Sequence, residues 1–98
     1  MAMHRFLIHN CGDDVGVATE DIRSGERVTG ICMDTEETVT LAARGDIPLG
    51  HKIAVHDVAA GGDISKYGVK IGVAKQAIAT GDYVHVHNIR SARWSFDS

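Results

Sequence analysis

Val15-Gly16-Val17-Ala18-Thr19-Glu20-Asp21-Ile22-Arg23-Ser24-Gly25-Glu26-Arg27-Val28 returns late in the chain as Ile71-Gly72-Val73-Ala74-Lys75-Gln76-Ala77-Ile78-Ala79-Thr80-Gly81-Asp82-Tyr83-Val84. Gly16, Val17, Ala18, Ile22, Gly25 and Val28 recur as Gly72, Val73, Ala74, Ile78, Gly81 and Val84. A weaker copy lies between them, with Ile53-Ala54, Asp57-Val58, Gly61 and Ile64. Equal internal spacing marks a repeated structural unit. Each copy reads as a strand, a small turn ending in glycine, and a polar residue leading into the next strand. The Ile or Val plugs a core, and the glycine supplies a positive φ.

The flanking segments read the same way. Arg5–His9 and Val15–Ala18 are short apolar strands. Arg27–Cys32 and Glu37–Leu41 are a pair joined by the polar turn Met33–Glu36, and His51–Val55 follows the single proline, Pro48. Val69, Ile71 and Val73 alternate with Lys70, Gly72 and Ala74, and Tyr83–His87 alternates too. Period-2 alternation is the pattern of a half-buried strand. No segment carries a sustained helical stripe. The expected fold is mainly β with short hairpins and at most a short helical turn near Gln76–Ala79. Residues 1–98 form one domain. The tail 89–98, with Arg90, Arg93, Trp94 and Phe96, breaks the pattern and either folds back or docks on a partner chain.

Composition removes several classes of function. The chain has 98 residues with 10 Lys+Arg against 13 Asp+Glu, a formal charge of -3, so it lacks the clustered cations that phosphate backbones require. No apolar run approaches the roughly 20 residues of a membrane span. Met1–Arg5 lacks the apolar stretch of a secretory signal. Cys11 and Cys32 are the only cysteines, without CxxC spacing. They are far apart in sequence, a redox dithiol is not expected, and they read as small buried or half-buried side chains in a reduced, cytoplasmic setting.

Six histidines are many for this length. His4 is terminal, and His56 reads as structural or solvated. In Val84-His85-Val86-His87-Asn88, residues two apart on a strand share a face. His85 and His87 can thus share a metal or an anionic substrate, or simply be surface histidines. Imidazole suits iron, zinc or manganese. Leu49-Gly50-His51-Lys52 sets a histidine beside a cation, a pairing suited to a carboxylate, although the two alternate in facing. Lys66-Tyr67-Gly68 offers a cation and a phenol, or a plain hairpin tip. His9-Asn10-Cys11-Gly12-Asp13-Asp14 is a polar strand end or an ordinary Asx-rich turn. No P-loop, GxSxG, GxGxxG or HExxH occurs. These groups could line one rim, but a domain this small could hardly enclose a substrate alone.

Gly50-His51-Lys52, Lys66-Tyr67-Gly68 with Ile71-Gly72, Gly81 followed by His85-Val86-His87-Asn88, and His9 with Asp13-Asp14-Val15-Gly16-Val17 together resemble the altronate dehydratase family. That family includes galactarate dehydratase and the alpha subunit of sulfolactate sulfo-lyase. The resemblance runs from about Phe6 to Asn88. The family's usual Asp-Asn is Asp13-Asp14 here. The resemblance implies a SAF-type β-clip fold and a small subunit that works with a large catalytic lyase subunit in an oligomer. It implies dehydration of a sugar acid such as altronate or galactarate, or alternatively release of sulfite from (2R)-sulfolactate. It also implies a divalent metal shared with the large subunit, iron(II) or else manganese(II). In that reading His85, His87 and His51 are catalytic, with His85 and His87 at the metal. Lys52, Lys66, His9 and Asn88 bind the acidic sugar or sulfonate substrate. Nucleic acid and membrane are not expected partners. The alternative from another class is a non-catalytic β-clip that binds sugar acids or scaffolds a partner.

Overall fold

The computed structural model describes residues 4–66, 69–85 and 89–91. The described residues form nine strands and no helix: β1 (Phe6–Ile8), β2 (Val15–Ala18), β3 (Arg27–Cys32), β4 (Thr38–Ala42), β5 (Lys52–Ala54), β6 (Asp63–Lys66), β7 (Val69–Ala74), β8 (Tyr83–Val84) and β9 (Ile89–Ser91). Six make one sheet in the order β4-β3-β1-β2-β5-β8, and β6-β7-β9 make a second. All neighbours are antiparallel except β1 and β3, which run parallel with Phe6 opposite Gly30. The mainly β expectation holds. The stretch 76–79 forms no helical turn, because Ile78 pairs with Val58 instead. β6 is the strand that follows Gly61 in the weaker repeat copy, and β9 lies at the start of the tail that breaks the sequence pattern.

The repeat is the clip that closes the fold. Ile22 bridges Ile47, and Val58 bridges Ile78, each through two reciprocal N–H···O bonds of 2.8–2.9 Å. Both bridges join residues in a shared pattern: Ile22-x-x-Gly25, Ile47-x-x-Gly50, Val58-x-x-Gly61 and Ile78-x-x-Gly81. All four glycines have φ between 83° and 94°. The copy at Ile47 escapes a reading of the sequence because Pro48 and Leu49 disguise it. An aspartate precedes three of the four plugs. Asp21 Oδ1 accepts the Leu49 N–H (2.9 Å), and Asp46 Oδ1 accepts the Ser24 N–H (2.8 Å). Asp57 Oδ1 accepts both the N–H and the hydroxyl of Thr80 (2.8 and 2.9 Å). Each cap satisfies a loop amide that the strand ladders leave unpaired. Ala77, in the fourth copy, has no acceptor to offer.

Alternation along the strands loads both faces of the six-stranded sheet. Phe6, Ile8, Ala18, Ile22, Val28, Cys32, Leu41, Ile47 and Ile53 fill one core. Val15, Ala54, Ile64, Ala74, Ile78 and Val84 fill the other, between the two sheets. Ile22, Ile47, Ile53 and Ile64 are at most 1% exposed, and burial of each contributes about 1.5–3 kcal/mol. The Phe6 ring occupies the space where Gly30 would carry a Cβ, and it also presses on Gly16. These two glycines are spaces for an aromatic ring rather than turn residues.

Gly81 carries a double constraint. Its φ is +94°, and a Cβ there would collide with the Ala42 carbonyl oxygen. Gly81→Ala is therefore expected to cost roughly 2–4 kcal/mol in urea unfolding. Gly45→Ala, with open space around it, should stay within about 0.5 kcal/mol.

Two carboxyls give the clip an acid limit. Backbone donation from Arg23, then the Arg5 guanidinium, holds Glu26 below its ordinary 4.5. The Thr80 N–H and hydroxyl hold Asp57 below its ordinary 3.8. A depressed folded pKa adds stability that is complete above the unfolded value and lost as pH falls through the folded one. Tm should thus be flat from about pH 7 to 5 and fall below about pH 4.5, less steeply in Asp57→Asn. Calorimetry across that range measures it.

Candidate functional site

Three rings meet where β5 begins and β8 ends. His51 follows the turn glycine Gly50, and its N–H closes that turn on the Pro48 carbonyl (3.0 Å). Tyr83 pairs with Ile53 across β5 and β8. The Tyr83 hydroxyl lies 2.7 Å from His51 Nδ1. The Tyr83 ring stacks on His85, with centroids 5.6 Å apart and planes 6° from parallel. His51 and His85 are tilted to each other at 5.7 Å. His51 and Tyr83 are half-buried and His85 is exposed. Tyr83 is the member that sequence reasoning missed. Its alternation with Val84 was the available signal, because it places Tyr83 and His85 on one side.

β8 covers Tyr83–Val84 of the expected strand Tyr83–His87, pairing Ile53 with Tyr83 and Lys52 with Val84. His85 thus lies just past the strand. His87 and Asn88 fall outside the described residues, as do Tyr67, Gly68 and the tail beyond Ser91.

The remaining expected site residues gather elsewhere. Lys52 pairs with Val17, and Val17 with Leu7, so these three leave the sheet by the face opposite Ile53 and Tyr83. Leu7 and Val17 line a groove of about 360 Å³ with His9, Val15, Met33 and Lys66. His51 and Lys52 therefore diverge, although they are neighbours in sequence. The described candidates form two groups: His51, Tyr83 and His85 in one, and His9, Lys66 and Lys52 along the other face.

Asp14 ties Lys66 to this groove. Its Oδ2 accepts the Ser65 N–H (2.9 Å) and hydroxyl (3.1 Å), and its own N–H reaches the Ser65 carbonyl (3.0 Å). Its Oδ1 lies 3.4 Å from His56 Nδ1. The carboxylate thus anchors β6 beside β2 as an acceptor. This also gives His56 a partner that the sequence did not disclose.

Metal chemistry fits in kind but not in number. Imidazole suits iron(II) or manganese(II). Among the described residues, however, no group of three or more His, Cys, Asp or Glu side chains could hold an ion. Nor, among them, is any helix long and apolar enough to cross a membrane.

Residues 4–92 match the family described as Altronate/galactarate dehydratase SAF domain. The chain is 40% identical over 90 residues to the (2R)-sulfolactate sulfo-lyase subunit alpha of Chromohalobacter salexigens, covering 91% of this chain and 96% of that one. It is 36% identical over 66 residues to the subunit of the same name from Paracoccus pantotrophus, covering 65% and 98%. It is also 44% identical over 79 residues to the altronate dehydratase of Escherichia coli K12, covering 81% of this chain but 15% of that enzyme.

The ring cluster predicts its own perturbation. Tyr83→Phe keeps the stack on His85 but removes the oxygen at His51 Nδ1. The His51 Nδ1 resonance should move in nitrogen-15 NMR, with a stability loss of about 1 kcal/mol or less. An unmoved resonance contradicts the bond.

Proposed function

Because the chain belongs to the altronate/galactarate dehydratase SAF-domain family, we propose that it serves as the small subunit of a two-component cytoplasmic lyase acting on an acidic hydroxy substrate. The observation that carries this reading is the half-open cluster of His51, Tyr83 and His85. It offers acid–base groups on one side only and leaves the other side to a larger chain.

The reaction class sets the demands. A proton leaves the carbon beside a carboxylate, and a substituent leaves the next carbon. Dehydration of a sugar acid is the first reading. Sulfite release is the second, favoured by the 40% identity to a sulfo-lyase alpha subunit over nearly its whole length.

His51 can move the proton. With Nδ1 engaged by the Tyr83 oxygen, Nε2 is the nitrogen left for a substrate. For His51 to act as a base, Nδ1 must carry the hydrogen and donate it to the tyrosine oxygen, leaving the Nε2 lone pair free. In the other tautomer the Tyr83 hydroxyl donates to Nδ1, and Nε2 carries the hydrogen as the acid. His85, with His87 and groups of the large subunit, would hold the divalent metal. When bound, that ion supplies charge stabilisation for the carboxylate and the developing enediolate. Lys52 and Lys66 give the opposite face a cationic character suited to a carboxylate or sulfonate, with the His9 imidazole beside Lys66 as a further polar contact. Asn88 completes the proposed contacts with substrate.

The test is reconstitution with the large subunit. The chain alone should show no turnover, and the pair should turn over altronate or galactarate to a keto-deoxy acid, or sulfolactate with release of sulfite. His51→Ala and His85→Ala in the assembled pair should lower kcat by about 10²–10⁴-fold. A chelator should abolish turnover, and iron(II) or manganese(II) should restore it. Full activity of the isolated chain overturns the two-component reading. Unchanged kcat in both histidine variants makes the chain a scaffold.

A further inference from the structure

The thiols of Cys11 and Cys32 stand outside the proposed chemistry, yet they are in contact. Cys11 lies on the loop between β1 and β2, and Cys32 ends β3. Their sulfurs are 2.6 Å apart, with the Cys32 thiol donating to Cys11. Cys11 also donates through its sulfur to Glu37 Oε1 (3.3 Å) and through its N–H to Asp34 Oδ1 (3.1 Å). Cys11 is half-buried and Cys32 buried. The sequence reading of two small buried or half-buried side chains holds, but their separation in sequence hid the contact: pairing of β1 with β3, Ile8 opposite Cys32, brings them together.

We propose that Cys11 and Cys32 are a redox modification site, forming a reversible intramolecular disulfide by exchange with a small-molecule disulfide. The order of events follows from access. Cys11, the reachable thiol, attacks one sulfur of the small disulfide as its thiolate, and one thiolate leaves. The Cys32 sulfur then attacks Cys11 in the mixed disulfide and expels the second. Two protein thiols and one small disulfide become one protein disulfide and two small thiols, which take up the two protons. Burial, then the hydrogen bond to Cys11, pushes the Cys32 thiol up to about 12. Cys32 therefore resolves rather than initiates.

The bond would act on the groove. His9 is two residues before Cys11, Met33 directly follows Cys32, and both line the groove with Lys66. A disulfide joins these two stretches of its rim and holds the 9–14 loop against the β3–β4 hairpin.

The intact chain treated with oxidised glutathione tests this. Under denaturant, both thiols should disappear together, a cross-linked Cys11–Cys32 peptide should appear, and dithiothreitol should reverse both. Cys32→Ser should stop at a glutathione adduct on Cys11. Amide hydrogen exchange across 10–14 should slow in the oxidised chain. Two persistent thiols, or a wild-type chain that stops at the glutathione adduct, overturn the disulfide. A disulfide with unchanged exchange across 10–14 overturns its action on the groove.

Discussion

Two reciprocal backbone bridges, Ile22 with Ile47 and Val58 with Ile78, are the constraint on which the rest of this small domain depends. A chain of short strands has many connecting loops, and every loop amide taken from water needs a partner. The bridges answer this with main-chain pairs, and the aspartates ahead of three plugs answer it with side-chain caps. The same residues bury apolar side chains, so hydrogen bonding and hydrophobic burial are satisfied together. A glycine with positive φ then turns each loop back into the next strand.

That closure places the candidate groups. The loop from Ile47 through Gly50 delivers His51 to the start of β5, and the loop from Ile78 through Gly81 delivers Tyr83 and His85 beside it. The ring cluster is thus assembled by two copies of one unit, one from each bridge. The Asp14–Ser65 clamp does the corresponding work on the other face, bringing Lys66 toward His9. Each face presents chemistry that is open on one side. The relatives of this domain include both a protein named as a subunit, matched over nearly its whole length, and a much longer dehydratase, of which the chain covers 15%.

Much of the fold was legible because it rests on local signals. Short apolar runs located β1 to β5, alternation located β7 and the start of β8, and the repeat exposed the clip units. The copy at Ile47 was missed because only the plug and the glycine are needed there, and the intervening Pro48 and Leu49 resemble neither sister loop. β6 showed only as the strand after Gly61 in the weaker repeat copy, because its four residues, Asp63–Lys66, owe their strand conformation to pairing with β7 and to the Asp14 carboxylate. Those partners are distant in sequence.

By itself the sequence determined the class of fold, the repeat, and the residue types available for acid–base chemistry, since periodicity and turn chemistry act over a few neighbouring residues. Only the tertiary structure decided which of those residues meet. His51 and Lys52 diverge because adjacent strand positions face opposite ways. Tyr83 joins the histidines, and Cys11 meets Cys32, because sheet order brings distant strands together. The physical reason is that register and strand order are settled by how both cores pack and by how every buried amide finds a partner. These are conditions on the whole chain at once.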